Sequence, residues 1–411
     1  MPLFDAERHE RLAGAEWNED RARDAIGRIA ADANRIFDPD ALWPIHPLDR
    51  SPERPPDSIK YLYHGAAGVI WALDYLNEKT AAPLTRDYLP TVRQLIPRIR
   101  ADLDQYPELR KYMGAEVASY LLGEAGILLL QFKLAPSEEI AHQLYGHLEA
   151  TIGDPRGIAW GGAGAMLAAL FMYERTDDAR WRDHFRRSFE ALWNQFNYSD
   201  ETRCHLWTSS LYGVTEMRLG GIHGFGANAF VMLRGRHLLD PDRADEMLRR
   251  IHETSHATAL IEGKHANWPN NVGATTRPTP PSLVVQHCIG APGVINSLAQ
   301  FPSDPRWPID ALLLRAGTLV WDAGPPVKIP SLCHGAPGSG YALLKLYART
   351  GDDRWLDRAR QFAMHAIGQS DRALEQHGQR KYSLWTGDLG LALYLWDCVR
   401  ATAKFPTLDV F

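Results

Sequence analysis

Seven segments of the chain are apolar on nearly every side, and each opens on small residues spaced as G-x-x-G. They read "YHGAAGVIWALDYL", "LLGEAGILLLQF", "AWGGAGAMLAALFMY", "IHGFGANAFVML", "HCIGAPGVINSLAQF", "CHGAPGSGYALLKLY" and "WTGDLGLALYLWDCV". Their leading glycines are Gly65, Gly123, Gly161, Gly224, Gly290, Gly335 and Gly387, and the fourth copy alone departs, with Ala227 at the second glycine's place. Between them run stretches such as "SEEIAHQLYGHLEA", "ARWRDHFRRSFEALWNQF" and "DDRWLDRARQFAMHA". Their apolar residues recur every three or four positions among charges, the pattern of a helix with one wet face. No segment sustains period-two alternation.

Buried helix thus alternates with amphipathic helix. A repeated unit of this kind buries its apolar faces by stacking on its neighbours. The predicted fold is all-α: an (α/α) double ring, or toroid, of about seven helical hairpins, forming one domain over residues 1–411. Each inner helix starts at a glycine turn, where glycine permits close backbone approach. All seven starts then meet at one end of the ring, where a site is expected. Two proline-rich stretches, "LWPIHPLDRSPERPPDS" and "NWPNNVGATTRPTPPS", read as long loops. The second leads toward Cys288, and is either a cover for the site or a surface connection.

Composition narrows the class. The 411 residues are 45% hydrophobic and 10% aromatic, enough for a large core, and the net charge of −5 offers no general attraction for nucleic acid. No run is long and apolar enough for a transmembrane segment. The charged opening "MPLFDAERHERLAGAEWNED" lacks the apolar centre of a secretory signal, so the expected location is cytoplasmic. Four well-separated cysteines, Cys204, Cys288, Cys333 and Cys398, do not form a disulfide framework, and point to metal binding or catalysis.

Aligning the repeats on their leading glycines brings chemistry into register. Two positions before the glycine stand Cys288 and Cys333 in the fifth and sixth copies; one position before it stand His64, His223 and His334 in the first, fourth and sixth. If these places converge, Cys288, Cys333 and His334 make a Cys₂His set, which suits Zn²⁺ with a fourth position open. The alternative is two buried cysteines acting as small hydrophobes. Cys398, late in an apolar helix, reads as core, and Cys204 has no assigned role. A rival zinc motif, "HETSH", places His252, Glu253 and His256 in the H-E-x-x-H spacing of metalloproteases. On a helix whose apolar face is Met247, Leu248 and Ile251, both histidines turn toward the polar side. It reads as a solvated face, with a zinc hydrolase as the alternative.

The paired "GAPG" copies, one following a cysteine and one following Cys-His, together with the "HG" of the fourth repeat and the seven glycine turns, resemble the lanthionine synthetase C family, LanC and LanC-like proteins, from about residue 40 to 400. The resemblance implies zinc ligands at Cys288, Cys333 and His334, an acid/base histidine at His223, and a lysine implicated in catalysis at Lys328. It implies no role for His64. It departs at Ile289, where tyrosine or histidine is usual, at His287, where tryptophan is common, and in lacking a match for a proposed catalytic acid. Gly65 and Gly123 lie only 58 positions apart, leaving no room for the β-rich insert of the bacterial cyclases. The chain therefore looks like the eukaryote-type branch, which adds glutathione to dehydroalanine or dehydrobutyrine in peptides and proteins. The alternatives are a lanthionine-forming peptide cyclase using its substrate's own cysteine thiol, and a non-catalytic zinc-containing binding protein. Carbohydrate enzymes of this shape need paired carboxylates, and the glycine turns supply only Glu124 and Asp388.

Overall fold

The computed structural model describes residues 3–12, 14, 16–50, 59–105, 117–273 and 283–411. Its helices in chain order are α1 (Glu19–Ile36), α2 (Ala66–Glu78), α3 (Leu89–Gln105), α4 (Glu124–Leu134), α5 (Glu138–Glu149), α6 (Gly162–Thr176) and α7 (Ala179–Trp193). They continue with α8 (Phe225–Arg234), α9 (Pro241–Ala257), α10 (Ala291–Leu298), α11 (Asp310–Ala323), α12 (Ala336–Thr350), α13 (Asp353–His377) and α14 (Asp388–Arg400).

Every leading glycine of the sequence pattern sits immediately before a helix: α2, α4, α6, α8, α10, α12 and α14. These helices are buried nearly all round. In α6, every residue from Gly162 to Met172 is buried. The intervening helices have one dry face; α7 buries Trp181, His184, Phe185, Ser188, Phe189, Leu192 and Trp193 at three- and four-residue steps. The second glycine has a steric cause. A Cβ at Gly68 would stand 2.2 Å from the Leu62 carbonyl oxygen, and one at Gly293 would stand 2.1 Å from that of His287. Only a residue without a side chain lets the first helical turn rest on the chain six residues earlier. In the fourth copy the close glycine stands one position earlier: a Cβ at Gly226 would lie 3.0 Å from the Gly220 carbonyl oxygen.

The described chain forms two compact units, each drawn from separate stretches of sequence. The first comprises Met1–Arg11, Thr151–Val327 and Gly338–Ala359. Within it α6 packs on α7 and α8, and α8 packs on α10, which packs on α11. The loops before these helices are also joined: the Ile158 N–H donates to the Ile222 carbonyl at 3.0 Å. Gly220 lies so close to the next loop that a Cβ would be 2.0 Å from the Cys288 carbonyl oxygen. The second unit comprises Leu12–Ala150, Lys328–Pro337 and Arg360–Phe411. There α14 packs on α1 and α2, and α4 packs on α2, α3 and α5. Main-chain bonds again run from loop to loop, Cys333 N–H to Trp385 C=O at 3.0 Å, Trp385 N–H to Tyr63 C=O at 2.9 Å, and Tyr63 N–H to Leu121 C=O at 2.9 Å. Tyr63, Leu121, Ile222, Cys288, Cys333 and Trp385 all stand two positions before their glycine. That register position is where neighbouring copies meet.

Short strands accompany the helices of this mostly helical fold. The first unit contains short strands, β1 (Asn197–Ser199), β2 (Cys204–Leu206), β3 (Ser209–Leu211), β4 (Val214–Arg218), β5 (Leu260–Glu262), β6 (His265–Asn267) and β7 (Asn271–Val272). They pair antiparallel as β1–β2, β3–β4–β7 and β5–β6. None exceeds five residues, too short for alternation to stand out, and β5 is exposed at every position. They are minor additions to a mostly helical chain. Of the two proline-rich stretches, residues 51–58 and 274–282 lie outside the described residues, so the possible cover over Cys288 does too.

Candidate metal centre

Cys288 sits in a tight turn. Gln286 and Ile289 exchange main-chain hydrogen bonds of 3.1 and 3.2 Å around it, and the Gln286 side-chain amide donates to the Cys288 Sγ at 3.0 Å. The turn then enters α10 through Gly290, whose φ of +100° strongly favours glycine. His287, where the family resemblance leads one to expect tryptophan, is buried, and the Asn296 amide donates to its Nδ1 at 3.0 Å. Its ring thus fastens the turn to α10.

Cys333 and His334 stand in the matching turn before α12. The Gly335 N–H donates to the Ser331 carbonyl at 3.2 Å and the His334 N–H to the Ser331 Oγ at 3.4 Å. Cys333 Sγ lies 3.6 Å from His334 Nε2. The sulfurs of Cys288 and Cys333 and a ring nitrogen of His334 all lie within 4.8 Å of one another. Among the described residues this is the one group of three such donors close enough to hold an ion. Zinc bonds of about 2.3 Å to sulfur and 2.0–2.1 Å to nitrogen at tetrahedral angles separate donors by about 3.5–3.8 Å. The Cys333–His334 separation falls in that range, and the soft donor set suits zinc. The two other cysteines offer a contrast. Cys204 is bonded to Thr202 Oγ1, and burial pushes its thiol pKa up; burial pushes that of Cys398 up far more. Both are inert core thiols.

His223, one position before Gly224, is half-buried in the loop that packs on the Cys288 turn. Its ring stands 6.3 Å from that of Tyr212, at 88°. Lys328 is exposed five residues before Cys333, and its ammonium makes no hydrogen bond or ion pair with a described residue. His64 stacks on Tyr61 at 6.1 Å and meets the Tyr63 ring edge-on at 5.6 Å, an aromatic packing role.

The H-E-x-x-H segment is a helix face. Glu253 is ion-paired to Arg249 at 2.6 Å, His252 Nε2 is 3.2 Å from the Pro308 carbonyl, and His256 Nδ1 is 3.0 Å from the His252 carbonyl. Met247, Leu248 and Ile251 are buried on the opposite side. The carboxylates of the glycine turns are structural. Glu124 accepts from Arg100 at 3.0 and 2.8 Å and lies 2.8 Å from His147 Nε2. Asp388 is held by Ser370, Arg380 and the Lys381 N–H. Tyr212, whose ring meets that of His223, and Trp160, which donates to the Tyr212 hydroxyl, are not among the residues that the sequence singles out. Trp160 did carry a signal, since it shares the register of His223 and His334, one position before the glycine.

Residues 59–410 match the model of a protein family described as lanthionine synthetase C-like protein. The chain belongs to that family. It is 36% identical over 203 residues to glutathione S-transferase LANCL1 of Danio rerio, across 47% of this chain and 46% of that protein. It is 27% identical over 314 residues to LanC-like protein GCL1 of Arabidopsis thaliana, across 72% of this chain and 68% of that one. The matches thus span about half the length of LANCL1 and about two thirds of GCL1. Among solved structures, nisin cyclase superposes with a TM-score of 0.58 at 16% identity, covering 92% of this chain and 94% of that one. The helical toroid fold expected from the glycine pattern is the fold that this lanthionine synthetase C-like chain shares with nisin cyclase. No described helix is long and apolar enough to cross a membrane.

Proposed function

We propose that this protein is a zinc-dependent thioether-forming enzyme, adding the thiol of glutathione to dehydroalanine or dehydrobutyrine residues of peptides or proteins. The observation that carries the reading is the close grouping of Cys288, Cys333 and His334 donors, with His223 in the loop packed on the Cys288 turn. The similarity to LANCL1, a glutathione S-transferase, favours glutathione as the thiol.

Cys288, Cys333 and His334 would hold the zinc. Bound there, the ion supplies positive charge that keeps an incoming thiol deprotonated near neutral pH. The chain's own residues then manage charge and protons. As the thiolate sulfur bonds to the β-carbon, the π electrons of the Cα=Cβ bond move onto the amide carbonyl, and the oxygen gains enolate charge. Lys328, a cation with no partner among the described residues, can stabilise that oxygen. The α-carbon must then take a proton, and His223 delivers it. One S–C and one C–H bond form, the thiol proton having left at the start, so the sum is thiol plus alkene to thioether.

Mass spectrometry of a dehydroalanine-containing peptide incubated with the protein, zinc and glutathione tests this. The expected product carries one added glutathione, and Cys333→Ala abolishes it. A peptide that also contains cysteine, and loses its free thiol without gaining mass, would instead identify a lanthionine cyclase. Zinc bound in full with neither product would leave a binding protein, and the proposal would be wrong.

A further inference from the structure

Between α7 and α8 the chain leaves the helical repeat to build β1–β4, and the β3–β4 hairpin turns on two residues, Tyr212 and Gly213. Both have positive φ, +55° and +72°. Such a turn suits Asn-Gly or Gly-Gly; a bulky aromatic residue there is strained. Tyr212, held at that cost, is 73% exposed.

The hairpin is braced from beneath. Arg218, buried at the end of β4, pairs with the buried Glu216 at 3.0 Å. Its guanidinium donates to the Ser209, Leu211 and Val214 carbonyls at 3.2, 3.1 and 3.3 Å, gripping both strands at the turn. Tyr212 is therefore presented by a rigid support. Its ring lies 6.3 Å from Trp160 at 80°, and 6.3 Å from His223 at 88°. The Trp160 indole N–H donates to its hydroxyl at 3.3 Å. Trp160 and His223 occupy the same register in neighbouring copies, with their loops joined by the Ile158 to Ile222 bond. A strained, exposed, braced aromatic residue beside an acid/base histidine signals a binding role.

We infer that Tyr212 and Trp160 form an aromatic clamp for the unsaturated acceptor residue, Tyr212 supplying the exposed ring face and the buried Trp160 fixing it from below, and that it presents the acceptor's α-carbon to His223; this rests on the thioether-forming reading. The chemistry separates the two substrates. A dehydroalanine unit is a flat, neutral, conjugated enamide that packs well on aromatic faces. Glutathione carries two carboxylates and an ammonium group, which call for ionic partners; the clamp offers a neutral aromatic face. The clamp therefore recognises the acceptor, and the thiol is bound by other groups.

The decisive variant is Tyr212→Asn, because asparagine tolerates positive φ and forms the favoured Asn-Gly turn while deleting the ring. Calorimetric titration of the full chain would use three probes: a short peptide with one dehydroalanine, the same peptide with alanine, and glutathione. The expected result is wild-type binding that prefers the dehydroalanine peptide. That affinity should fall about five- to tenfold in Tyr212→Asn, as expected for lost ring contacts, with glutathione affinity and thermal stability undiminished. Tyr212→Phe should stay within about twofold of wild type, since the ring remains. Equal binding of the unsaturated peptide by wild type and Tyr212→Asn, equal losses for peptide and glutathione, or no wild-type binding of that peptide would each overturn the clamp. Turnover is read separately: adduct formation by the wild type with unaltered peptide affinity in Tyr212→Asn sinks the clamp alone. Failure of the wild type to form adduct despite a ring-dependent peptide affinity sinks the reaction and leaves acceptor binding at the clamp.

Discussion

Replacing Gly293 by alanine should damage both the fold and the proposed metal centre. The added Cβ would lie 2.1 Å from the His287 carbonyl oxygen. Ordinary heavy-atom contact needs about 1 Å or more beyond that. Because the obstructing atom belongs to the main chain, no side chain can rotate away, and either the start of α10 or the His287 turn must move. Overpacking of this kind costs about 1–3 kcal/mol, and with only backbone to yield we expect the upper half of that range. His287 immediately precedes Cys288, so the displaced turn carries the thiol with it. Metal ligands are held to about 0.2 Å, and a shift several times larger should lower zinc affinity. Gly146→Ala is the control: a Cβ there meets nothing within 4 Å, and Gly146 lies inside α5. Removing glycine from a helix interior should stabilise the protein by about 0.5–1 kcal/mol. The assays are denaturant unfolding and zinc content per chain after dialysis against a weak chelator. Wild-type stability in Gly293→Ala would refute the steric reasoning. A stability loss with full zinc retention would refute the claim that the strain reaches Cys288.

Two further outcomes follow from the ionisable groups. Burial pushes the Glu124 carboxyl up, but the hydrogen bonds from His147 and Arg100 outweigh it and hold the pKa below the ordinary value. The bond to Glu124 in turn raises the pKa of His147 against its desolvation. Glu124's contribution is thus present above its unfolded value and lost as pH falls through the lowered folded value. That of His147 is present below its ordinary 6.5 and lost as pH rises through the raised folded value. Urea unfolding from pH 5 to 9 should show the alkaline decline vanish in His147→Gln, and an unchanged decline would contradict the coupling. Glu124→Gln should cost about 1–3 kcal/mol at neutral pH, a modest value because the Arg100 side chain is 61% exposed and can rehydrate. As for the two zinc motifs, Cys288→Ala should strip the metal while His252→Ala retains it. Metal analysis giving the reverse would move the centre to α9.

The glycine register was informative because it answers to sterics rather than to propensity. Where a helix must rest on a carbonyl six residues back, as at Gly68, Gly126, Gly293 and Gly390, glycine is the residue that fits, so the contact is written into the sequence of those copies. Helix starts were legible for that reason. The strands were not, because two- to five-residue segments such as β5 and β7 are defined by their pairing partners, and leave no alternation of their own.

Candidate chemistry follows the same division. Cys288 and Cys333 stand two positions before the glycine, where main-chain bonds tie one copy to the next, as Cys333 is tied to Trp385 and Trp385 to Tyr63. A side chain at that position is fixed by the contact that builds the repeat, so its neighbours can be inferred by counting residues. Tyr212 has no such register. It comes from a hairpin outside the repeat, and its place is set by Arg218 reaching back to Leu211 and Val214. Residues placed by the repeat can therefore be read from spacing, whereas residues placed by an insertion need the coordinates. In this chain the division separates the grouped donors of Cys288, Cys333 and His334, which the repeat positions, from the Trp160–Tyr212 pair, whose tyrosine comes from the hairpin outside the repeat.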